Sequence, residues 1–353
     1  MTDILELDTP AVLIDLDRVE ANLQRVQAYA DSHGLRLRPH IKTHKLPRFA
    51  KRAMEQGAVG ITVQKLGEAE VFADAGISEI FLPYNIIGPA KLARLKALHG
   101  RVHITVTADS AETVEGLSRS FAGSATPLTV LVECDTGMGR CGVQTPAAAL
   151  ALAEKIANSP GLAFGGLMTY PAAGQVEANA AWLAAARLLL DGAGLSPAVV
   201  SNGGTPDIWR AHEVTAATEH RPGTYIYMDR FQVAKGVGTF DDCALTVLAT
   251  VVSRPTEDRA IIDAGSKALT SDLLGLTGHG YIEAYPEAVI VGLSEEHGTI
   301  DLSACSEKPA IGDKIRIIPN HACVVSNLFD RVTLISGDTV VETVPVDARG
   351  RVD

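Results

Sequence analysis

Three groups of residues have types and spacings that suit chemistry. The first is Arg38-Pro39-His40-Ile41-Lys42-Thr43-His44-Lys45. Its Lys42 follows the alternating run Leu35-Arg36-Leu37-Arg38 and precedes Pro47 to Gln56, a segment of helix-forming composition. The lysine therefore falls where a strand ends and a loop begins. In chains of alternating strands and helices, the loops after the strands form the catalytic face. Cations and imidazoles crowded around an amine favour its neutral form. A neutral amine is what Schiff-base chemistry on pyridoxal 5'-phosphate (PLP) uses. The competing reading is a basic surface loop, because exposed lysine is the commonest kind.

The second group suits an anion. Ser201-Asn202-Gly203-Gly204-Thr205-Pro206 lies between a strand-like run and a short helix. Glycines let the backbone approach a ligand, and a helix start offers N–H groups to negative charge. Thr205 adds a hydroxyl. In Arg221-Pro222-Gly223-Thr224-Tyr225, Gly223 and Thr224 offer further donors. Two such loops, late and consecutive, match the place where (β/α)8 barrels hold phosphate; each alone is also an ordinary tight turn. Arg140, framed by glycines in Gly137-Met138-Gly139-Arg140-Cys141-Gly142, suits a phenolate or carboxylate oxygen, or is a solvated loop arginine. Tyr170 and Gln64 follow strand-like runs in the same way, as ligand contacts or as wall residues.

The third group is Pro319-Asn320-His321-Ala322-Cys323. A histidine and a cysteine two apart on an extended segment share one face. Imidazole and thiolate together favour zinc or another borderline-soft divalent ion, and a pair of protein ligands leaves positions open for water and substrate. The alternative is a buried, inert thiol beside an unrelated histidine. Glu296-His297 is a weaker polar pair in the same region.

Local patterning along the chain sets the strands and helices that hold these groups. Ala11 to Leu16 reads as a strand, with Asp17 as N-cap of a helix to His33 and Gly34 ending it. Strand and helix then alternate: Gly60 to Val63 and Leu66 to Asp74; Ile80 to Leu82 and Ala90 to Ala97; His103 to Val106 and Ser110 to Arg119. Leu128 to Glu133 and Thr145 to Asn158 follow, then Phe164 to Met168 and Asn179 to Leu190, then Val199 to Ser201 and Pro206 to Arg210, before Glu219. About eight such units imply a closed (β/α)8 TIM barrel, with an open parallel sheet as the alternative. Beyond Val233 the texture becomes β-rich, with strands at Leu245 to Ser253, Arg259 to Asp263, Ala288 to Leu293, Lys314 to Ile318 and Arg331 to Ser336.

The 353 residues exceed what one hydrophobic core usually holds, so two domains are expected. A net charge of −11 without a Lys/Arg stripe argues against nucleic acid. No apolar run reaches transmembrane length, and the acidic start Met1-Thr2-Asp3-Ile4-Leu5-Glu6 lacks signal-peptide features. Five scattered cysteines suit a reducing cytoplasm.

Taken together, the sequence resembles the D-threonine aldolase and D-serine dehydratase family. The matching pieces are Thr9-Pro10-Ala11 with Leu13 to Leu16, Arg38 to Lys45, Gln64-Lys65 with Glu68-Ala69-Glu70, and Asp135 to Val143. They continue through Gly203-Gly204-Thr205, Gly223-Thr224-Tyr225, Asp263-Ala264-Gly265, Glu296-His297-Gly298 and Pro319 to Cys323. The resemblance implies an alanine racemase-like fold: a PLP-binding barrel over 18–232 and a mainly-β domain over 233–353, joined by the N-terminal strand 1–17. It implies that Lys42 is the Schiff-base lysine and that His321 and Cys323 hold zinc, or manganese, magnesium or cobalt. Asn202, Gly203 to Thr205 and Gly223 to Tyr225 would hold the phosphate, with Gln64, Arg140 and Tyr170 around the ring. A homodimer with sites at the subunit interface is also implied. The implied activity is cleavage of D-3-hydroxy-α-amino acids to glycine and an aldehyde. In this family the aldolases generally read His-x-Asp at the metal and the dehydratases His-x-Cys. The His-x-Cys here favours deamination of D-serine or D-3-hydroxyaspartate as the alternative. A racemase needs a second base and no metal, so it ranks below both.

Overall fold

The computed structural model describes residues 2–353. The chain opens with β1 (Ala11–Asp15) and α1 (Leu16–Ser32). Asp15 Oδ1 accepts hydrogen bonds from the N–H groups of Asp17 (3.0 Å) and Arg18 (3.1 Å), so Asp15 and not Asp17 caps the helix. The chain divides into two compact units. One contains residues up to Arg25, Thr43–Lys45 and Thr224–Gly350; the other contains Val26–Lys42, Leu46–Gly223 and Arg351–Asp353. Relative to the expected boundaries, the first turns of α1, the short Thr43–Lys45 stretch and the chain from Thr224 lie with the β unit.

The barrel unit carries eight parallel strands: β2 (Arg36–Leu37), β3 (Ile61–Thr62), β4 (Glu79–Asn85), β5 (His103–Ala108), β6 (Leu128–Cys134), β7 (Leu162–Thr169), β8 (Val199–Asn202) and β9 (Glu219–His220). β2 pairs with β9 on one side, and a parallel bridge from His40 to Thr62 joins its end to β3 on the other. Thr62 N–H to Pro39 O (2.8 Å) and Val59 N–H to Leu37 O (2.9 Å) complete that seam, so the sheet closes. The helices are α2 (Pro47–Glu55), α3 (Leu66–Asp74), α4 (Pro89–His99), α5 (Ala111–Phe121), α6 (Pro146–Ala157) and α7 (Val176–Gly192). Local chemistry sets their starts: Ser110 and Thr145 accept from the N–H groups of Thr113 and Ala148, and Pro146 stands where a helix needs no donor. The expected short helix at Pro206 to Arg210 is instead a 3-10 turn over Ile208–Glu213. Phe81, Leu131 and Met168 pack into a buried cluster with Val199 beside them, as parallel strands covered on both faces require.

The β unit holds α8 (Arg230–Ala234), β10 (Leu245–Thr256), β11 (Arg259–Ile262), α9 (Ser266–Leu269), β12 (Tyr281–Ile282), β13 (Val289–Leu293) and β14 (Gly298–Asp301). It continues with β15 (Lys314–Ile318), α10 (Ala322–Leu328), β16 (Arg331–Ser336) and β17 (Thr339–Pro345). The sheet order is β13-β14-β11-β10-β1-β16-β17, with β15 on β10 and β12 on β15. β1 runs antiparallel to β10 and parallel to β16, and Leu13, Leu248, Ile335 and Ile4 form its core. The sequence reading does not anticipate β12, β14, β17 or α10. β12 and β14 are very short, and β17 is an edge strand with few buried residues. Among the described residues no helix is long and apolar enough to cross a membrane, and all five cysteines are free thiols.

Candidate active site

In a closed parallel barrel the chain leaves each strand at the same rim, so residues just past strand ends share one face. Lys42 lies in a 3-10 turn, Ile41–Thr43, beyond β2. Its backbone N–H donates to His40 Nδ1 at 3.3 Å. With Nδ1 accepting, Nε2 carries the ring proton and donates to Gln64 Oε1 at 3.1 Å, a tautomer assigned from the network. Gln64 is held in turn through its own N–H, which donates to Glu68 Oε2 at 2.7 Å. Lys42 is half-buried, and its amine has no hydrogen-bond or ion-pair partner among the described residues.

Across the same rim stands a cradle of glycines. Gly203 adopts φ 93°, and a Cβ there would lie 2.1 Å from His220 Cε1. A Cβ on Gly204 would lie 2.8 Å from the Tyr170 ring. The positive φ at Gly203 favours glycine, and a Cβ on Gly204 would have to push the Tyr170 ring aside. Thr205 Oγ1 accepts the Gly223 N–H at 3.2 Å, which ties the two predicted loops together. Asn202 ends β8, and its Oδ1 accepts from Asn179 Nδ2 at 2.9 Å. The exposed Arg140 guanidinium sits 5.3 Å from the centre of the Tyr170 ring. Its loop is shaped by Asp135 Oδ1, which accepts from the N–H groups of Gly137 and Gly139 at 3.0 Å each. Thr224 and Tyr225 belong to the β unit, in a 3-10 turn over Thr224–Ile226.

Charged groups that the sequence reading did not single out line the barrel interior. Arg38 Nε pairs with Glu219 Oε2 at 2.8 Å, and Ser201 Oγ donates to Glu219 Oε1 at 2.7 Å. Buried Arg221 donates to the Thr169 carbonyl, and burial lowers its pKa to about 10 against the opposing pull of Glu219 and Glu133. Burial, then the charge of Asp109, raises the Glu133 carboxyl. His220 is fully enclosed; burial and then Arg221 push its pKa down to about 3, so its ring is neutral.

His321 and Cys323 lie in the β unit, but not on the extended segment expected. His321 is the extended N-cap residue of α10 and Cys323 lies in the first turn. The cause is Asp229, a buried carboxylate whose Oδ2 accepts the Ala322 N–H at 3.0 Å and draws the chain into a helix. Burial raises the Asp229 pKa to about 6, with the backbone hydrogen bonds opposing. The two side chains still converge, because Cys323 hydrogen-bonds the His321 ring. Burial alone would lower the His321 pKa; Cys323 and Asp272 override it and raise it to about 9. Thr43 Oγ1 lies 3.1 Å and Thr224 Oγ1 3.6 Å from Cys323 Sγ. Among the described residues no cluster of three or more His, Cys, Asp or Glu is arranged for a metal. His297 is exposed in the turn between β13 and β14.

The fit of the implied groups can be judged from these contacts. An unpaired amine and a cradle that a Cβ would fill suit an aldehyde-bearing phosphate. A thiol beside an imidazole whose Nδ1 is already engaged suits a borderline divalent ion.

The sequence matches the family profile "Alanine racemase, N-terminal domain" over residues 14–231 and "Putative serine dehydratase domain" over 244–335. It is 35% identical to a D-threonine aldolase of an Arthrobacter species, covering 98% of this chain and 94% of that one. The crystal structure of D-threonine aldolase from Filomicrobium marinum superposes with a TM-score of 0.92 at 33% identity, covering 99% and 97% of the two chains. A cysteine-to-alanine variant of D-threo-3-hydroxyaspartate dehydratase, solved in its metal-free form, superposes at 0.89 with 31% identity, covering 97% and 98%. A closed barrel with a rim lysine, followed by this β domain, defines an enzyme of alanine racemase-like fold. Within that class the chain belongs to the D-threonine aldolase and D-serine dehydratase family.

Proposed function

We propose that this enzyme is a PLP- and divalent-metal-dependent lyase of D-3-hydroxy-α-amino acids, cleaving the Cα–Cβ bond to release glycine and an aldehyde. The observation that carries the reading is Lys42: a half-buried amine without a partner, on the rim that also holds the glycine cradle. PLP, when bound, supplies an electron sink for the carbanion left at Cα. A divalent ion, when held by His321 and Cys323, supplies Lewis acidity toward an alcohol.

The protein's own groups do the rest. Lys42 Nζ would be the group that holds the cofactor through its aldehyde, and it can take up or release a proton there. The backbone of Gly203, Gly204 and Gly223, with the Thr205 hydroxyl, receives the phosphate, and Asn202, Thr224 and Tyr225 complete that set. Arg140 orients a phenolate or carboxylate, with Tyr170 beneath it. Gln64 is set by His40 on the side of Lys42. In the chain, Lys42 directly precedes Thr43, whose hydroxyl touches Cys323. The active form is proposed to be a homodimer; a sole species near 37.2 kDa in sedimentation equilibrium would count against that.

A second reading has its own support. The His321-x-Cys323 pair favours dehydration of D-serine or D-3-hydroxyaspartate, in which Lys42 Nζ would remove the Cα proton, the hydroxyl would leave as water, and water would hydrolyse the released unsaturated amino acid to a 2-oxo acid and ammonia. Incubation with D-threonine, D-serine and D-3-hydroxyaspartate separates the two. Glycine with an aldehyde supports the aldolase, and 2-oxo acid with ammonia the dehydratase. Only L-enantiomer, or no turnover with PLP and Mn²⁺ or Zn²⁺ supplied, sinks both.

A further inference from the structure

The imidazole of His321 has a second partner, Asp272, to which the proposed function assigns no role. His321 Nδ1 donates to Asp272 Oδ2 at 2.7 Å. A ring nitrogen committed in this way fixes the ring's orientation and turns the other nitrogen outward, where a divalent ion can displace its proton. The carboxylate is itself firmly placed. Asp272 N–H donates to Thr270 Oγ1 at 3.3 Å, and Asn320 Nδ2 donates to Asp272 O at 3.1 Å and Gly278 O at 2.9 Å. Arg230 Nη1 reaches Asn320 Oδ1 at 3.1 Å and Thr277 O at 2.7 Å. Asn320, the neighbour of His321, thus anchors the same loop that carries the carboxylate. Thr270 and Leu274 hold φ of 64° and 50°, a left-handed conformation that non-glycine residues adopt only when their surroundings enforce it.

We infer that Asp272 is a positioning residue for the metal pair: it locks His321 in the tautomer that presents Nε2 to the divalent ion and raises the basicity of that nitrogen. This rests on His321 and Cys323 being ligands. Partners of this kind cost about 10–100-fold in metal affinity when removed. The test is Mn²⁺ and Zn²⁺ binding by the PLP-loaded full chain, measured by competition with a chromophoric chelator. Asp272→Ala should bind about 10–100-fold more weakly. Asp272→Asn should lose less, because its carbonyl still accepts from Nδ1–H. In the cobalt-substituted Asp272→Ala protein, the charge-transfer band from the Cys323 thiolate should persist.

Unchanged affinity in Asp272→Ala overturns the inference. So does loss of the thiolate band with cobalt retained, which would show that the donor set itself had been rebuilt. His321→Ala and Cys323→Ala distinguish the underlying reading: if either binds metal as tightly as the unaltered chain, the ligand assignment fails and Asp272 falls with it. Near-UV circular dichroism reports folding, and Asp272→Asn carries the test if the alanine variant does not fold.

Discussion

The rim of the barrel and the start of α10 position their side chains by opposite means. On the rim, topology does the work. Lys42, Gln64, Arg140, Tyr170, Asn202 and Gly223 each follow or end one of six strands, and closing a parallel sheet delivers them to one face whatever the loops between. At α10, individual long-range hydrogen bonds do it. Asp229 starts the helix from 93 residues away, and Asp272 orients His321 from 49 residues away. The first device tolerates change in any one loop. The second fails with a single carboxylate.

The strongest way to break this comparison is Lys42→Ala. Lys42 is the amine proposed to hold the cofactor, so absorbance of bound PLP should disappear and turnover should fall by about a thousandfold, within the range for loss of a positioned acid–base group. Intact cofactor absorbance in that variant would remove the rim from the chemistry altogether.

Gly203→Ala comes next. The new methyl would meet His220 at 2.1 Å from a backbone at φ 93°. Overpacking and the left-handed penalty together cost about 2–5 kcal/mol. We expect PLP titration to show affinity weakened by about tenfold to a hundredfold, with the fold retained. Adding His220→Ala should relieve the steric part and leave the backbone part. Equal affinity in all three proteins would show that the cradle is not where the phosphate binds.

The same contrast explains what could be read from the sequence. The strand–helix alternation, the barrel, and the placing of Lys42, Gly203 and Gly223 past strand ends follow from local periodicity and glycine placement, both of which are sequence-local. Asp17 is not the cap because Asp15 starts the helix two residues earlier, which leaves Asp17 inside the first turn. The extended reading holds as far as His321 and fails at Ala322 and Cys323, because the signal for their helix is Asp229, which has no periodic relation to them. Asp272 carried no signal at all. It sits in a turn-rich stretch between α9 and β12, and only the fold brings it to His321. Edge strand β17 escaped because a solvent-facing strand needs no alternation.

The smallest expected effect concerns His220, which packs where a side chain on residue 203 would be. Neither ring nitrogen has a well-formed hydrogen-bond partner, and burial, then Arg221, lowers its pKa to about 3 from an ordinary value of 6.5. Between those two values the unfolded chain binds a proton that the folded one refuses. Stability therefore falls as pH drops through that window, by about 1.4 kcal/mol per pH unit for one such group. Above pH 6.5 both states are neutral at this position and the linkage vanishes. His220→Gln removes the titration while keeping a polar side chain of similar reach. Urea unfolding at pH 7 and pH 5 should show the gap between variant and unaltered protein shifting in the variant's favour by about 2 kcal/mol on acidification. A gap that is the same at both pH values would mean that the ring is not held neutral. The phosphate cradle would then rest on a cation, which would make it a rim of the second kind, dependent on one charged group rather than on topology.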